Sequence, residues 1–251
     1  MMKQPVLYIV VPCYNEREAL PLSAPVFLQK LLALCPEGRV VLVDDGSTDG
    51  TWELMRSLHE QDAHFSALRL RQNRGHQNAL MAGLMWARER CDAAVSIDAD
   101  LQDDIDAMDG MWQKYLAGAD IVCGVRSDRS SDTFLKRTTA QGYYRLMAAL
   151  GSDLIYNHAD YRLMSRAALR ELGRYREDDL FLRGLVKRLG GRVETVSYAR
   201  RAREAGESKY TLKKMIDLAC RGFACGRLRP AEEPRGEMDP YVAEVLHADK
   251  L

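Results

Sequence analysis

Two aspartates one residue apart, Asp98 and Asp100, follow directly on the apolar run Ala93–Ile97. A hard divalent cation takes oxygen ligands, and a nucleoside diphosphate supplies two of them if the protein supplies one or two more. Mg2+ or Mn2+ held at Asp98-Ala99-Asp100 would neutralise a departing nucleoside diphosphate, acting as a Lewis acid. Gln102, two residues on, adds a neutral oxygen on the same side of the turn. A lone Asp-x-Asp is common by chance, so its position carries the information. Two further polar, acid-bearing clusters occupy the same kind of position. Pro12-Cys13-Tyr14-Asn15-Glu16 follows Val6–Val11, and Asp44-Asp45-Gly46-Ser47 follows Arg39–Val43. Taken singly, Asp-Gly after a strand is an ordinary turn. Three such clusters on one edge repel one another unless a cation or hydrogen-bond donors stand between them.

The elements that must bring these clusters together are short and apolar. Val6–Val11, Arg39–Val43, Phe65–Leu70 and Ala93–Ile97 alternate with helical stretches, and Asp120–Val125 continues the series. This alternation predicts βαβ units and a mostly parallel sheet buried on both faces. Ser47-Thr48-Asp49 offers caps for a helix over Trp52–Leu58, and Asn73-Arg74-Gly75 precedes one over His76–Arg90. In open α/β sheets ligands bind at the carboxyl edge of the strands, where all three clusters fall. The second half predicts amphipathic helices over Thr133–Leu150 and Asp178–Leu189, a strand over Arg192–Ser197 and a last helix over Tyr210–Phe223. In that helix Leu212, Met215, Ile216, Ala219 and Phe223 share one face. From Arg227 the chain turns polar and Pro-rich, which predicts a loosely held tail over 227–251.

Bulk properties narrow the class. With 251 residues, 47% of them hydrophobic and 29% charged, the chain suits one large soluble α/β domain, or at most two small ones. The formal charge of zero is unevenly spread. Residues 1–110 hold 10 Lys+Arg against 17 Asp+Glu, whereas residues 162–229 hold 18 against 8. Such asymmetry is either incidental surface charge or a basic half facing an anionic partner such as a diphosphate, lipid phosphate or nucleic acid. Six scattered cysteines without a CxxC pair fit a reducing compartment better than a disulfide framework or zinc site. The N-terminus leads straight into a strand, so no signal peptide is expected. No window approaches the ~18 consecutive apolar residues of a membrane span. No GxGxxG follows the first strand, which disfavours a dinucleotide fold. The basic half lacks interleaved aromatics, which disfavours nucleic acid.

The motifs together resemble the inverting family-2 glycosyltransferases. Pro12-Cys13-Tyr14-Asn15-Glu16, Val43–Asp49, Asn73–Ala79 and Asp98-Ala99-Asp100-Leu101-Gln102-Asp103 are similar to that family's signature series. Gly124-Val125-Arg126, Phe134–Arg137, Tyr161–Ser165, Phe181–Gly184 and Ala205–Tyr210 resemble its polyprenyl-phosphate branch, which includes dolichol-phosphate mannose synthases and bactoprenol glucosyltransferases. The resemblance spans roughly residues 5–222. It implies a single GT-A domain over 1–226, with a nucleotide-sugar half to about 125 and an acceptor half beyond it. It implies that Pro12, Tyr14, Glu16 and Asp44 hold the base and ribose, that Asp98 and Ala99 close over the nucleoside, and that Asp100 and Gln102 ligate the metal. By the same resemblance Arg126 sits near the diphosphate and lipid phosphate, and Lys136 and Arg137 lie on the acceptor side. Arg200, Arg203, Ser208 and Lys209 form a late basic segment near the phosphates. Asp160 becomes the candidate for the residue facing the sugar's anomeric carbon, where a carboxylate can stabilise an oxocarbenium-like state. His158 beside it is expected to be incidental.

The expected activity is transfer of a hexose, glucose from UDP-glucose by default, to polyprenyl phosphate at the cytoplasmic membrane face. Two departures from the family stand out. Asp103-Asp104-Ile105-Asp106 replaces the usual Asp-Pro-Pro-Glu, and the chain turns polar where close relatives continue into two membrane-spanning helices. The second keeps two alternatives open: a soluble glycan acceptor, or an idle nucleotide-binding or scaffold protein. It also leads to an expected peripheral contact, in which the 209–229 segment lies in the membrane interface. The sugar, the base and the oligomeric state are not set by the pattern.

Overall fold

The computed structural model describes residues 4–127, 158–175, 180–200, 228–236 and 238–248. The apolar runs form the strands β1 (Leu7–Cys13), β2 (Arg39–Asp44), β3 (Phe65–Leu70) and β4 (Ala93–Ser96). Every residue of β1, β2 and β4 is buried, which is why they read as unbroken apolar runs. β1 pairs in parallel with both β2 and β4, and β2 with β3. The crossovers carry α1 (Leu20–Leu34), α2 (Thr51–Gln61) and α3 (His76–Ala87). After β4 come α4 (Ala107–Leu116), β5 (Ile121–Arg126), β6 (His158–Ser165) and α5 (Arg166–Leu172). The chain then forms α6 (Leu182–Leu185), a 3-10 turn at Val186–Arg188, β7 (Val193–Tyr198) and β8 (Val242–Leu246).

The eight strands form one sheet in the order β7-β5-β6-β4-β1-β2-β3-β8. β6 runs antiparallel between β4 and β5, and β8 runs antiparallel along β3. The other six strands point the same way, so their carboxyl ends share one edge. Alternate residues of β1 feed two separate cores. Leu7, Ile9 and Val11 pack with α1, α2 and α4, whereas Tyr8 and Val10 pack with α3 and α5. The result is a three-layer α/β/α arrangement.

α3 lies unusually close to the sheet. A Cβ on Gly83 would stand 2.6 Å from Val10 Cγ1 and 2.7 Å from Val43 Cγ2. Both neighbours are short, branched and fully buried, so neither can move aside cheaply. Gly83→Ala is therefore expected to destabilise the fold by ~1–3 kcal/mol, despite alanine's better helix propensity. Denaturant unfolding of the variant checks this, and a gain in stability would refute the close packing.

Three elements differ from the sequence expectation. β6 was not anticipated, because its eight residues are all buried and include Asp160 and Arg162. The helix expected over Asp178–Leu189 reduces, among the described residues, to α6 and its 3-10 turn. The tail is not loose throughout, since Val242–Leu246 is an edge strand paired to β3. Its β-branched and aliphatic residues suit a strand, and Asp239 closes the turn before it by accepting the Tyr241 N–H at 2.9 Å. The helices expected over Thr133–Leu150 and Tyr210–Phe223 lie outside the described residues. No described helix is long and apolar enough to cross a membrane.

Candidate active site

The loops after β1 and β2 are bolted together by short polar side chains. Asn15 adopts φ 54°, a left-handed conformation that asparagine tolerates better than most residues. Its N–H donates to Ser47 Oγ at 2.9 Å and its Oδ1 accepts the Thr48 N–H at 2.9 Å. Glu16 N–H donates to Thr51 Oγ1 at 2.9 Å, and Arg17 N–H to Asp49 Oδ2 at 3.1 Å. Tyr14 projects from this loop at 47% exposure, an open aromatic face beside buried Pro12 and half-buried Glu16.

Asp44 ends β2, Asp45 follows it, and both are buried. Asp45 accepts the Arg74 N–H at 2.7 Å and the Gly75 N–H at 2.8 Å, fixing the loop that opens α3. Asp44 Oδ1 accepts the Ser47 N–H at 3.0 Å, but among the described residues its buried Oδ2 has no hydrogen bond and stands 3.7 Å from Arg69 Nε. Burial pushes both carboxyls above the ordinary aspartate value. An unsatisfied buried carboxylate oxygen at a sheet edge can accept an N–H or O–H from a bound ligand.

The turn after β4 carries Asp98, buried Ala99, exposed Asp100 and buried Gln102. Leu101 takes φ 51°, strained for a non-glycine residue, and Asp100 Oδ1 accepts the Gln102 N–H at 3.1 Å. The Asp98 carboxyl is raised by burial and further by the charges of Asp160, Asp103 and Asp100, with His76 opposing. That surplus of negative charge is what a divalent cation relieves, and two carboxylates with an amide oxygen suit a hard ion. Among the described residues no group of three or more His, Cys, Asp or Glu is assembled for a metal. Asp100 and Gln102, two residues apart on this turn, carry a carboxylate and an amide oxygen, donors of the type such an ion takes.

Asp160 reaches the same edge from the start of β6. Ser96 pairs with Arg162 in the antiparallel β4–β6 ladder, so Asp160 falls level with Asp98. Its side chain is 9% exposed and fully engaged. Oδ1 accepts from Arg162 Nη2 at 2.6 Å, and Oδ2 accepts from Arg183 Nη2 at 2.8 Å and Gln77 Nε2 at 3.1 Å. His76 Nε2 stands 3.8 Å from Asp160 Oδ2 and 3.6 Å from Asp98 Oδ1. Burial alone would raise the Asp160 carboxyl, but the Arg183 and Arg162 guanidiniums outweigh it and hold it well below the usual carboxylate range. Asp160 is thus a permanent anion near neutrality, clamped between two cations. His158 is buried, neither ring nitrogen is hydrogen-bonded among the described residues, and burial together with Arg162 and Arg183 keeps it neutral.

On the far side, Arg126 ends β5 and meets the carboxylate of Asp103, the first residue of the stretch that departs from the family pattern. Asp103 is buried and accepts from Arg126 Nη2 at 3.1 Å and from the Tyr198 hydroxyl at 2.7 Å. Arg200 Nε lies 3.9 Å from the same oxygen. Arg126 is one-quarter exposed and, beside Asp103, its already high pKa rises further despite burial. Of the basic residues expected near the phosphates, Arg126 and Arg200 converge here. Lys136, Arg137, Arg203, Ser208 and Lys209 lie outside the described residues.

Sequence reasoning assigned no role to His76, Gln77, Asp103, Arg162, Arg183 or Tyr198. A signal existed for Arg162: residues two apart on a strand share a face, so Asp160-x-Arg162 pairs opposite charges once β6 is known to be a strand. Tyr198 and Arg183 come from distant elements, and their approach depends on sheet order.

Comparison with known proteins gives the family and the fold. The Glycosyl transferase family 2 model matches residues 8–173. An uncharacterized glycosyltransferase of Bacillus subtilis (strain 168), YkoT, is 47% identical over 90% of this chain and 69% of its own length. The bactoprenol glucosyl transferase of Shigella phage SfV is 38% identical over 86% of this chain and 70% of its own. Among solved structures, glucosyl-3-phosphoglycerate synthase from Mycobacterium tuberculosis, bound to Mn2+, uridine diphosphate and phosphoglyceric acid, superimposes with a TM-score of 0.59. That likeness has 19% identity and covers 88% of this chain and 77% of that one. The mannosyltransferase PcManGT from Pyrobaculum calidifontis, with GDP-Man and Mn2+, gives 0.54 at 17% identity, over 90% and 74% of the two chains. These structures share the GT-A fold. The chain belongs to glycosyl transferase family 2 and is a glycosyltransferase.

Proposed function

We propose that this glycosyltransferase moves glucose from UDP-glucose to polyprenyl phosphate, using Mg2+ or Mn2+, at the cytoplasmic face of a membrane. The observation that supports it most is the β4–β6 ladder, which sets the Asp98–Asp100 turn beside a carboxylate clamped by two guanidiniums. The bactoprenol glucosyl transferases at 38% identity supply the acceptor class.

In this reading Tyr14, Pro12, Glu16 and the unsatisfied Asp44 oxygen receive the base and ribose, and Asp98 and Ala99 close over the nucleoside. Asp100 and Gln102 hold the metal, which when bound offsets the charge of the diphosphate. Arg126 and Arg200, released from Asp103, turn to phosphate oxygens. Lys136, Arg137, Arg203, Ser208 and Lys209 are proposed to complete the acceptor side. Asp160 does not move a proton. Held anionic by Arg162 and Arg183, it stabilises positive charge at the sugar carbon, and an acceptor phosphate is ionised already and needs no base.

The test is nucleoside diphosphate release from a panel of donors with Mn2+, with and without polyprenyl phosphate. Release from UDP-glucose stimulated by the lipid is expected. Release stimulated only by soluble glycans would replace the acceptor. Nucleotide binding without turnover on any donor or acceptor would leave an idle binding protein. The proposed contact through the 209–229 segment is checked by co-sedimentation with anionic vesicles, which should weaken with salt, since each basic residue near such a surface adds roughly 1 kcal/mol.

A further inference from the structure

Tyr241 stands immediately before β8 and grips the loop that opens α3. Its carbonyl accepts the Arg71 N–H at 2.9 Å, and its ring lies under the Arg74 guanidinium, 3.7 Å from centroid to Cζ. From the other side Asp45 accepts the Arg74 and Gly75 N–H groups at 2.7 and 2.8 Å. The loop is thus held between β8 and the end of β2. It also touches that end directly: a Cβ on Gly46 would lie 2.6 Å from Asn73 N. Beyond the loop, His76 approaches Asp98 and Gln77 donates to Asp160. Tyr241 is itself fixed, its N–H donating to Asp239 Oδ1 at 2.9 Å and the Val242 N–H to Asp239 O at 3.0 Å. Further along, His247 anchors the strand, edge-on to Trp86 at 5.0 Å between ring centroids and 3.0 Å from Ser66 Oγ.

We propose that Tyr241 is a positioning residue for the donor site. Its ring acts through Arg74, which keeps the 71–75 loop seated on Asp45 beside the Asp44-Asp45 turn, while its backbone carbonyl fixes the Arg71 N–H whatever the side chain. The inference rests on reading that edge as the nucleotide-sugar site. A cation resting on an aromatic face adds modest but directional attraction, and phenylalanine supplies the same face.

The experiment uses the full chain with UDP and Mn2+ as the probe. Tyr241→Ala should raise the Kd for UDP roughly 5- to 20-fold and speed hydrogen exchange at the Arg74 and Gly75 amides. Turnover at saturating donor should stay within about twofold, because uniform binding is lost rather than transition-state binding. Tyr241→Phe should restore both affinity and exchange protection. His247→Ala, which loosens β8 away from the loop, should lower Tm while leaving Kd and the two amides unchanged. Wild-type UDP affinity, or wild-type exchange at Arg74 and Gly75, in Tyr241→Ala overturns the assignment. So does an equal loss of affinity in His247→Ala, which would make the effect one of strand stability. A wild-type chain that binds no nucleoside diphosphate overturns the donor reading, and this assignment with it.

Discussion

Asp100→Ala is expected to reduce turnover at least ~100-fold, the scale seen when one strong electrostatic contact to a transition state is removed. Asp100 is the exposed carboxylate of the turn, whereas Asp98 is crowded by Asp160 and Asp103 and raised by burial. The exposed group is the one able to meet a hydrated ion and a diphosphate together. The fold should tolerate the change, since among the described residues Asp100 makes only a local bond, to the Gln102 N–H. Steady-state kinetics with Mn2+ titrated from zero, alongside a melting curve, separates the two effects. A variant with wild-type turnover, or an enzyme fully active in EDTA, removes Asp100 from the metal and the metal from the proposal.

The second large effect concerns Asp160, where stability and chemistry must be read apart. Arg162 is 2% exposed and Asp160 supplies its carboxylate partner. Asp160→Ala leaves that guanidinium buried without its counter-charge, and breaking such a pair costs about 3–5 kcal/mol. Asp160→Asn keeps the shape and part of the hydrogen bonding, so it is the variant for kinetics. It is expected to lower kcat while leaving the affinity for UDP nearly unchanged, because the proposed contact forms chiefly in the transition state. Collapse of UDP affinity with turnover preserved at saturation would place Asp160 in ground-state binding instead.

The pH dependence has a definite sign. The folded Asp160 carboxyl lies below its unfolded value, so its stabilisation is fully present above the unfolded pKa of ~3.9 and fades as pH falls towards the folded one. The stability gap between the wild type and Asp160→Asn should be flat from pH 8 to about 5 and shrink only in stronger acid. A gap that closes between pH 7 and 5 would show that the carboxylate is not held anionic.

The donor side was legible in the sequence for a simple reason. Strands buried on both faces are continuous apolar runs, and the residues that follow each run must fall on the sheet edge. Asp44, Asp98 and Asp100 were therefore placed by local pattern alone. Their satisfaction was not. Nothing in Asp44-Asp45 announces that Asp45 is spoken for by two backbone N–H groups while one oxygen of Asp44 is left over. Asp160 was found through the motif around it, but its state depends on Arg183, which arrives from α6, and on β6 threading between β4 and β5. Such long-range strand order is invisible to periodicity. β8 failed for a related reason: five residues carry too little pattern to outweigh three nearby prolines, and only the open edge of β3 makes them a strand.

The cross-bonding of the Asn15–Arg17 and Ser47–Thr51 loops has a thermodynamic consequence. Loops usually surrender conformational freedom when a ligand arrives, and that loss is subtracted from affinity. Here the loss has been met at folding by Asn15, Ser47, Thr51 and Asp49. The first partner should enter a mould that is already set, quickly and with little rearrangement of the backbone. If these loops receive the base as proposed, discrimination between bases would depend on rigid fit, a mismatch being refused because the walls do not yield.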